Sequence, residues 1–445
     1  MRYETIKSVV LLLLVVASAA LTWSLWTYQP QLESSDKKNV HEVSISNQEE
    51  PDGLIKPNRV LFHLDNVHYG TVKDKDIDPL INEIRGWNFY DISQAKVLSD
   101  ARIHDISHTN NNVEIYFPDL VPFELYKGVL HVETNNVPNA AFNRIVINLA
   151  SDSQDGATIY FVNTKENRVF ESHVNPERIS ALITKINDDK KKYEKYGEYT
   201  LPSNQTIFLP ENKTKLDEYK YYADYIDPEK FKNALFKDPS AVRRDILANG
   251  EKFTDISSMM NVDYNTNMIF YINPGQDPGT LNLQESDKHV LNRSIDFVNE
   301  HSGWTDKYRY FSLGSYQQTT VFQLFIQGRP VFNEDGMTEI RQVWGAEEIY
   351  KYRRPYFSLD ISIPLTDKKS IELPSGEEVL NYLKESSDIQ EDIDLLEDIM
   401  IGYKLAIDPE NPKVFVLEPS WFYLYGGSWL RLTIDDTGGD FLGLE

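Results

Sequence analysis

Cysteine is absent from all 445 residues. That absence excludes disulfide frameworks, thiolate zinc sites, iron–sulfur clusters, cysteine nucleophiles and a lipid-modified cysteine anchor. An exported chain of this size without bridges fits the outer face of a bacterium that does not rely on oxidative folding. Basic charge is also scarce. There are 45 Lys and Arg against 69 Asp and Glu, a net charge of -24, so a phosphate backbone would be repelled and nucleic-acid binding is excluded. Glycine and proline, 21 of each, are too few for a collagenous or low-complexity chain, and 12% aromatic residues argue against disorder. A folded chain too long for one core remains.

One long apolar run stands out. Residues 8–32 carry no charge, and SVVLLLLVVASAALTWSLW (8–26) would make a helix of about 28 Å, close to the thickness of the bilayer core. A transmembrane helix is therefore expected over residues 8–28. Arg2 and Lys7 precede it, and the first charges after it are Glu33 and Asp36. The positive-inside rule then places a short tail (1–7) in the cytoplasm and the bulk of the chain outside, in a single pass. Trp23, Trp26 and Tyr28 form the outer interfacial belt. Ala17-Ser18-Ala19 also matches a signal-peptide cleavage site, but the apolar run continues through Leu21, Leu25 and Trp26, which suits a helix that stays in the bilayer. Ala17, Ala20 and Ser24 recur at helical spacing and are the candidates for close contact with a partner's membrane helix.

Beyond the helix the expected fold is α+β, a three-domain extracytoplasmic region of mixed, mainly antiparallel sheets and helices. A polar linker (29–55) leads to an N-terminal α/β domain (56–196), a central domain (197–304) and a C-terminal strand-rich α+β domain (305–445). KDIDPLINEIR and PERISALITKI show helical apolar spacing, and Asp227-Pro228 and Ser375-Gly376-Glu377-Glu378 are helix starts. PSAVRRDILA is expected as a further helix stopped by Asn249-Gly250. KVLSDARIHDISH and VEIYFPDL are expected as a hairpin around TNNN, and NRIVINLA, ATIYFVN and RVFESHV as strands.

Motifs that could carry chemistry lack their partners. His104 and His108 are four apart, a spacing that on a helix would bring both rings to one metal, but in a strand-like segment it would not. Asp436-Thr437-Gly438 has the D-T-G of aspartic proteases without a second copy, and has good turn chemistry. The acidic stretch 385–398 lacks the EF-hand order, so a solvated helix or an interaction face is expected. Tyr219, Tyr221, Tyr222 and Tyr225 could stack on sugars, or could be a strand with one face turned inward. No catalytic, cofactor or metal residue is assigned.

YETIKSVVLLLLVVASAALTWSLWTYQP (3–30) resembles the N-terminus of the YycH (WalH) family, which accompanies the WalK (YycG) sensor histidine kinase of low-GC Gram-positive bacteria. Leu235-Phe236, EKFTDISSMMNVDYNTNMIFYINP (251–274), GRPVF (328–332), Tyr352-Arg353-Arg354-Pro355, and the GYK and EPSW pieces near Gly402 and Glu418 extend the resemblance over nearly the whole chain. The N-terminal motif is the most specific, and in the middle region Asp255-Ile256 departs from the family pattern, where a glycine is expected after the Thr-Asp turn. The resemblance implies a single-pass cell-membrane protein without enzymatic activity or cofactor. It implies binding to the kinase together with a partner of similar build, YycI, and an influence on cell-wall metabolism. Two other classes stay open. A wall-glycan-binding module needs exposed coplanar aromatics, and an extracytoplasmic hydrolase needs a carboxylate pair or metal cluster in a cleft.

Overall fold

The computed structural model describes Lys7, Val15, Ser18 and residues 46–90, 92–132, 138–150, 157–279, 289–314, 318–364, 369–386, 389 and 392–433. The chain divides into two compact units, residues 1–42 and 43–445. In the first, Lys7, Val15 and Ser18 are helical, and the rest of the expected membrane helix, Ala17, Ala20 and Ser24 included, lies outside the described residues. Among the described residues no helix is long and apolar enough to cross a membrane.

The second unit is sheet-rich α+β. Its first sheet has nine strands in the order Thr206–Pro210, Glu194–Thr200, Val67–Thr71, Arg59–Leu64, Asn112–Pro122, Ala141–Asn148, Ala157–Asn163, Arg168–Val174 and Lys96–Val97, with every pairing antiparallel. Alternation along the strands separates two faces. Val60, Phe62, Val113, Ile115, Ile145, Ile147 and Phe161 point to one of them and are buried there. The helices Asp74–Arg85 and Pro176–Asp189 cover that face with Ile77, Leu80, Ile81 and Ile84, and with Ile179, Leu182 and Ile186. The remaining residues of the same strands face the other side, where the candidate site is built.

A second sheet has fourteen strands among the described residues, drawn from residues 219 to 431, twelve of them in one path and two, Tyr308–Leu313 and Ser428–Arg431, paired beside it. It narrows at Arg329–Phe332, which pairs through two residue pairs with Thr319–Ile326 on one side and two, in parallel, with Leu396–Ile407 on the other. Strands from the stretches expected as central and C-terminal domains thus share one sheet. The first sheet also runs past the boundary expected at residue 196, because Glu194–Thr200 and Thr206–Pro210 hydrogen-bond into it. The two sheets meet at the strand Tyr308–Leu313. Arg309 donates to Asp74 Oδ2 at 2.6 Å, the Tyr310 hydroxyl donates to the Leu120 carbonyl at 2.7 Å, and Asp119 Oδ2 accepts the Leu313 N–H at 2.8 Å. Gly328 closes this junction at φ +75°, where a Cβ would overlap the Val72 carbonyl oxygen.

Several expected elements form as the sequence implies. Gly86 ends its helix, Asp227 caps Pro228–Leu235, and the Ser375–Glu378 capping box has both of its hydrogen bonds. Three expectations are corrected. PSAVRRDILA is not a helix but a short 3-10 turn followed by the strand Arg243–Leu247, which pairs with Gly250–Thr254 across the turn containing Asn249. KVLSDARIHDISH is not a hairpin arm, since only Lys96–Val97 is extended and Asp100–His108 is an α-helix. Ser99 caps that helix by accepting the Arg102 N–H, and Ile103 and Ser107 are its buried positions. The acidic stretch is no continuous helix either. Part of it lies outside the described residues, Ile393–Leu395 is a 3-10 turn, and Leu396 already begins a strand.

Arg354, fully buried in the second sheet, shows how tightly the interior is specified. Its guanidinium donates to Ser302 Oγ at 2.5 Å, the Gly303 carbonyl at 3.0 Å, Tyr352 Oη at 3.3 Å, Thr305 Oγ1 at 3.4 Å and the Pro355 carbonyl at 3.3 Å. Replacing it by Met removes these donors and leaves buried carbonyls unpaired, a loss of about 3 kcal/mol. Arg354→Lys should not restore it, because one ammonium cannot span oxygens arranged around a planar fork. Urea unfolding checks this, and a change below about 0.5 kcal/mol, the size of an ordinary surface substitution, would contradict it.

Candidate functional site

The second face of the first sheet carries ionisable side chains in cross-strand rows. Register places Arg59 opposite Tyr116 and Tyr116 opposite Arg144 on three adjacent strands. The Tyr116 ring lies between the two guanidiniums, 4.6 Å from Arg59 and 3.8 Å from Arg144. One row along, Leu61, Glu114 and Val146 are partners, and in the next row His63 faces Asn112. His63 is also the cross-strand partner of His68, because Asp65 and Asn66 form a two-residue turn with φ of 53° and 58°. Tyr196 pairs with His68 on the following strand, and Glu198 lies two residues further on, so it shares that face.

The helix Asp100–His108 lies over this face. Ile103 packs on Val146, Val162 and Val169, and Asn112 Nδ2 donates to the Ile106 carbonyl at 2.6 Å. The helix brings His104 and His108 down beside the sheet's own polar groups. His108 Nε2 is 3.5 Å from Glu114 Oε2, and His104 Nε2 is 2.8 Å from Glu198 Oε1. His63 Nε2 stands 3.5 Å from Glu114 Oε2, His63 Nδ1 is 2.7 Å from His68 Nδ1, and His68 Nε2 is 3.5 Å from Glu198 Oε2. Phe208 fills the space between the rings, with centroids 5.3, 5.0 and 4.9 Å from those of His63, His68 and His108. The side chains of His63 and Glu114 are only 1% and 2% exposed, His108 11%, and His104 46%. As a helix, HDISH brings together what an extended segment would have held apart. Ligand atoms of His104, His108 and Glu198 lie within 4.8 Å of one another.

Glu114 is the electrostatic centre. Burial opposes its charge, but His108, the contact with His63 and the Arg144 guanidinium prevail and hold its carboxyl down at about 2. Burial and the neighbouring carboxylate push the Tyr116 hydroxyl well above 10, so it keeps its proton and donates it to Glu114 Oε2 at 2.8 Å. Burial also holds His108 down at about 4, against the attraction of Glu114, so its ring is neutral at pH 7.

Beyond the Arg59–Tyr116–Arg144 row opens a cleft of about 770 Å³, whose far wall includes Phe332, Met400, Phe422 and Trp429 of the second sheet. Its charges are mixed. Lys165 pairs with Asp119 at 2.6 Å, Arg341 with Glu339 at 2.9 Å, and Lys404 with Glu334 at 3.2 Å, all within its lining. The volume suits a small ligand or an inserted peptide side chain. The tyrosines expected as a possible sugar platform do not share a surface. Tyr219 and Tyr221 pack against the core, while Tyr222 and Tyr225 are exposed. Asp436 lies outside the described residues.

Sequence reading found His104 and His108 but missed His63, His68, Glu114, Glu198 and the arginine–tyrosine row. A signal for the first pair was present. H-L-D-N-V-H places two histidines symmetrically about an Asp-Asn turn, which in a hairpin makes them neighbours. The other members arrive through pairings between distant strands.

The shifts in this cluster predict acid sensitivity. The folded state keeps His108 neutral down to about 4, whereas the unfolded chain protonates it near 6.5. Its contribution is complete above pH 6.5 and is lost as pH falls from 6.5 through 4. The loss for this ring is on the order of 3 kcal/mol. Glu114 acts in the same direction at lower pH, its contribution being lost as pH falls from 4.5 towards 2. Thermal melting in chelator-containing buffer from pH 7 to 4 should show a drop in Tm that is shallower in His108→Leu. Equal slopes would contradict the assignment.

Comparison with known proteins fits this architecture. Residues 204–437 match the family model described as YycH protein, C-terminal domain, and residues 4–194 match YycH protein, N-terminal domain. A relative from Bacillus subtilis (strain 168), named Two-component system WalR/WalK regulatory protein YycH, is 24% identical over 459 residues, covering 98% of this chain and 97% of the relative. The crystal structure of YycH from Bacillus subtilis shares the fold, with a TM-score of 0.72 at 19% identity over 88% of this chain and 99% of that one. With both of its halves matched in order, the chain belongs to the YycH family.

Proposed function

We propose that this chain is a non-catalytic regulator of a two-component system. In this reading it is anchored in the cell membrane by residues 8–28, holds its bulk outside the cell, and binds and modulates a WalK (YycG) sensor histidine kinase that controls cell-wall metabolism. A YycI-type protein acts with it. The observation that carries the reading is the end-to-end match to a relative named as a WalR/WalK regulatory protein. Sequence supports the anchor, through the uncharged run from residue 8 to 32 and the charge asymmetry around it. Sequence motifs supply no nucleophile with a matching base, so regulation proceeds by contact and not by chemistry.

The membrane helix is part of that contact. A signal from an acidic ectodomain reaches a cytoplasmic kinase domain only through something that crosses the bilayer. Close approach of two helices in lipid needs small residues on one face, which Ala17, Ala20 and Ser24 provide.

The test uses the full-length chain in native membranes. It should resist carbonate washing and co-purify with the kinase. The double substitution Ala20→Leu, Ser24→Leu should leave insertion unchanged and weaken crosslinking to the kinase's membrane helix by about 1–2 kcal/mol, roughly 5–30-fold. Failure to recover the kinase with the unaltered chain would refute the regulatory reading. Full regulation with an unrelated span of equal length would move the contact out of the membrane.

A further inference from the structure

Of the nine histidines in the chain, His63, His68, His104 and His108 gather around Glu114 and Glu198 on the covered face of the first sheet. Hydrogen bonding sets which ring nitrogens carry a proton. Glu114 only accepts, and His63 Nε2 and His108 Nε2 face it at 3.5 Å. His63 Nε2 is buried without a hydrogen-bond partner. His63 Nδ1 and His68 Nδ1 share one proton across 2.7 Å, and His68 Nε2 stands 3.5 Å from Glu198 Oε2. His108 Nδ1 is likewise buried without a hydrogen-bond partner. Buried ring nitrogens without partners, beside further imidazoles and a carboxylate, are the donor set that a transition-metal cation takes.

The geometry points to a binding site for a zinc-class divalent cation held by His104, His108 and Glu198. His104 and His108 are one helical turn apart on the same face of Asp100–His108, and Glu198 comes from the strand Glu194–Thr200. Their ligand atoms already lie within 4.8 Å of one another. Around a tetrahedral ion with bonds near 2.0–2.1 Å, donor atoms sit about 3.3 Å apart, so a closure of roughly 1.5 Å brings these three donors to bonding distance and leaves a fourth position for water. Half-exposed His104 and Glu198 at the rim have room for that movement. Imidazole nitrogens with a single carboxylate suit zinc and its late first-row neighbours, not magnesium or calcium, which take oxygen shells. Glu114 supplies the outer contact that orients a metal-ligating histidine, facing His108 Nε2. On binding, His104 Nε2 releases the proton it shares with Glu198 and turns its lone pair to the ion. The ion would tie the covering helix to a strand distant in sequence, His104 and Glu198 being 94 residues apart. This inference does not depend on the regulatory reading.

The experiment uses the full-length chain in detergent, freed of any histidine tag, stripped with chelator and dialysed. Calorimetric titration with zinc chloride should give one equivalent of high affinity, and cobalt chloride should give the visible absorption of a four-coordinate site. Magnesium chloride should give neither signal. His104→Ala and Glu198→Gln, at rim positions whose loss leaves the core intact, should each weaken zinc binding more than about tenfold, and Glu114→Gln about 10–100-fold. His173→Ala, outside the cluster, should leave the affinity unchanged. Absence of zinc binding by the unaltered chain would overturn the proposal. So would an affinity that survives in the double variant His104→Ala, Glu198→Gln, with melting curves confirming that each variant is folded.

Discussion

A single buried carboxylate organises the first sheet's second face. Glu114 sits in the middle of an antiparallel sheet, 2% exposed, where an unpaired charge would cost several kcal/mol. Four neighbouring side chains answer that cost. Tyr116 donates its hydroxyl, Arg144 approaches with its guanidinium, and His63 and His108 turn ring nitrogens towards it. These partners come from three strands and one helix, so the charge can be satisfied only when the strands are in register and the helix Asp100–His108 is seated. Register elsewhere in the sheet rests on the alternation that buries Val60, Val113 and Ile145, and slippage by one residue would exchange that apolar row for the charged one.

Two features of different character flank this carboxylate. On one side the guanidiniums of Arg59 and Arg144 enclose the Tyr116 ring and form the edge of an open cleft shared with the second sheet. On the other lies the group of imidazoles, partly closed by Phe208 and the covering helix. The polar junction at Arg309, Tyr310 and Asp119 fixes the two sheets against each other, and so sets the width of the cleft.

How much of this could be read from sequence depended on the range of the interaction. Local signals were sufficient where structure is local. The Ser375 capping box, the Asp227-Pro228 helix start and the apolar stripes of Ile77–Ile84 and Ile179–Ile186 all occur as expected. Where local signals conflicted, the pattern misled. In SDARIHDISH the cap at Ser99 and the burial of Ile103 and Ser107 favour a helix, yet the adjoining KVL and VEIYF runs suggested a continuous hairpin. In PSAVRRDILA helix-forming residues form an edge strand because the neighbouring strand Gly250–Thr254 supplies backbone partners. The site itself was mostly hidden, since Glu114, Arg144 and Glu198 acquire meaning only through pairings such as Tyr116 with Arg144 and Tyr196 with His68.

The claim that Glu114 holds this face together is tested most directly by a double-mutant cycle between Glu114→Gln and Arg144→Met, followed by denaturant unfolding of the full-length chain. If the buried charge pair is as tightly satisfied as the geometry requires, the two losses will be strongly non-additive, with a coupling of about 1–3 kcal/mol, and the double variant will be more stable than the sum of the singles implies. Additivity within about 0.3 kcal/mol would mean that the carboxylate and the guanidinium act independently, contradicting the account.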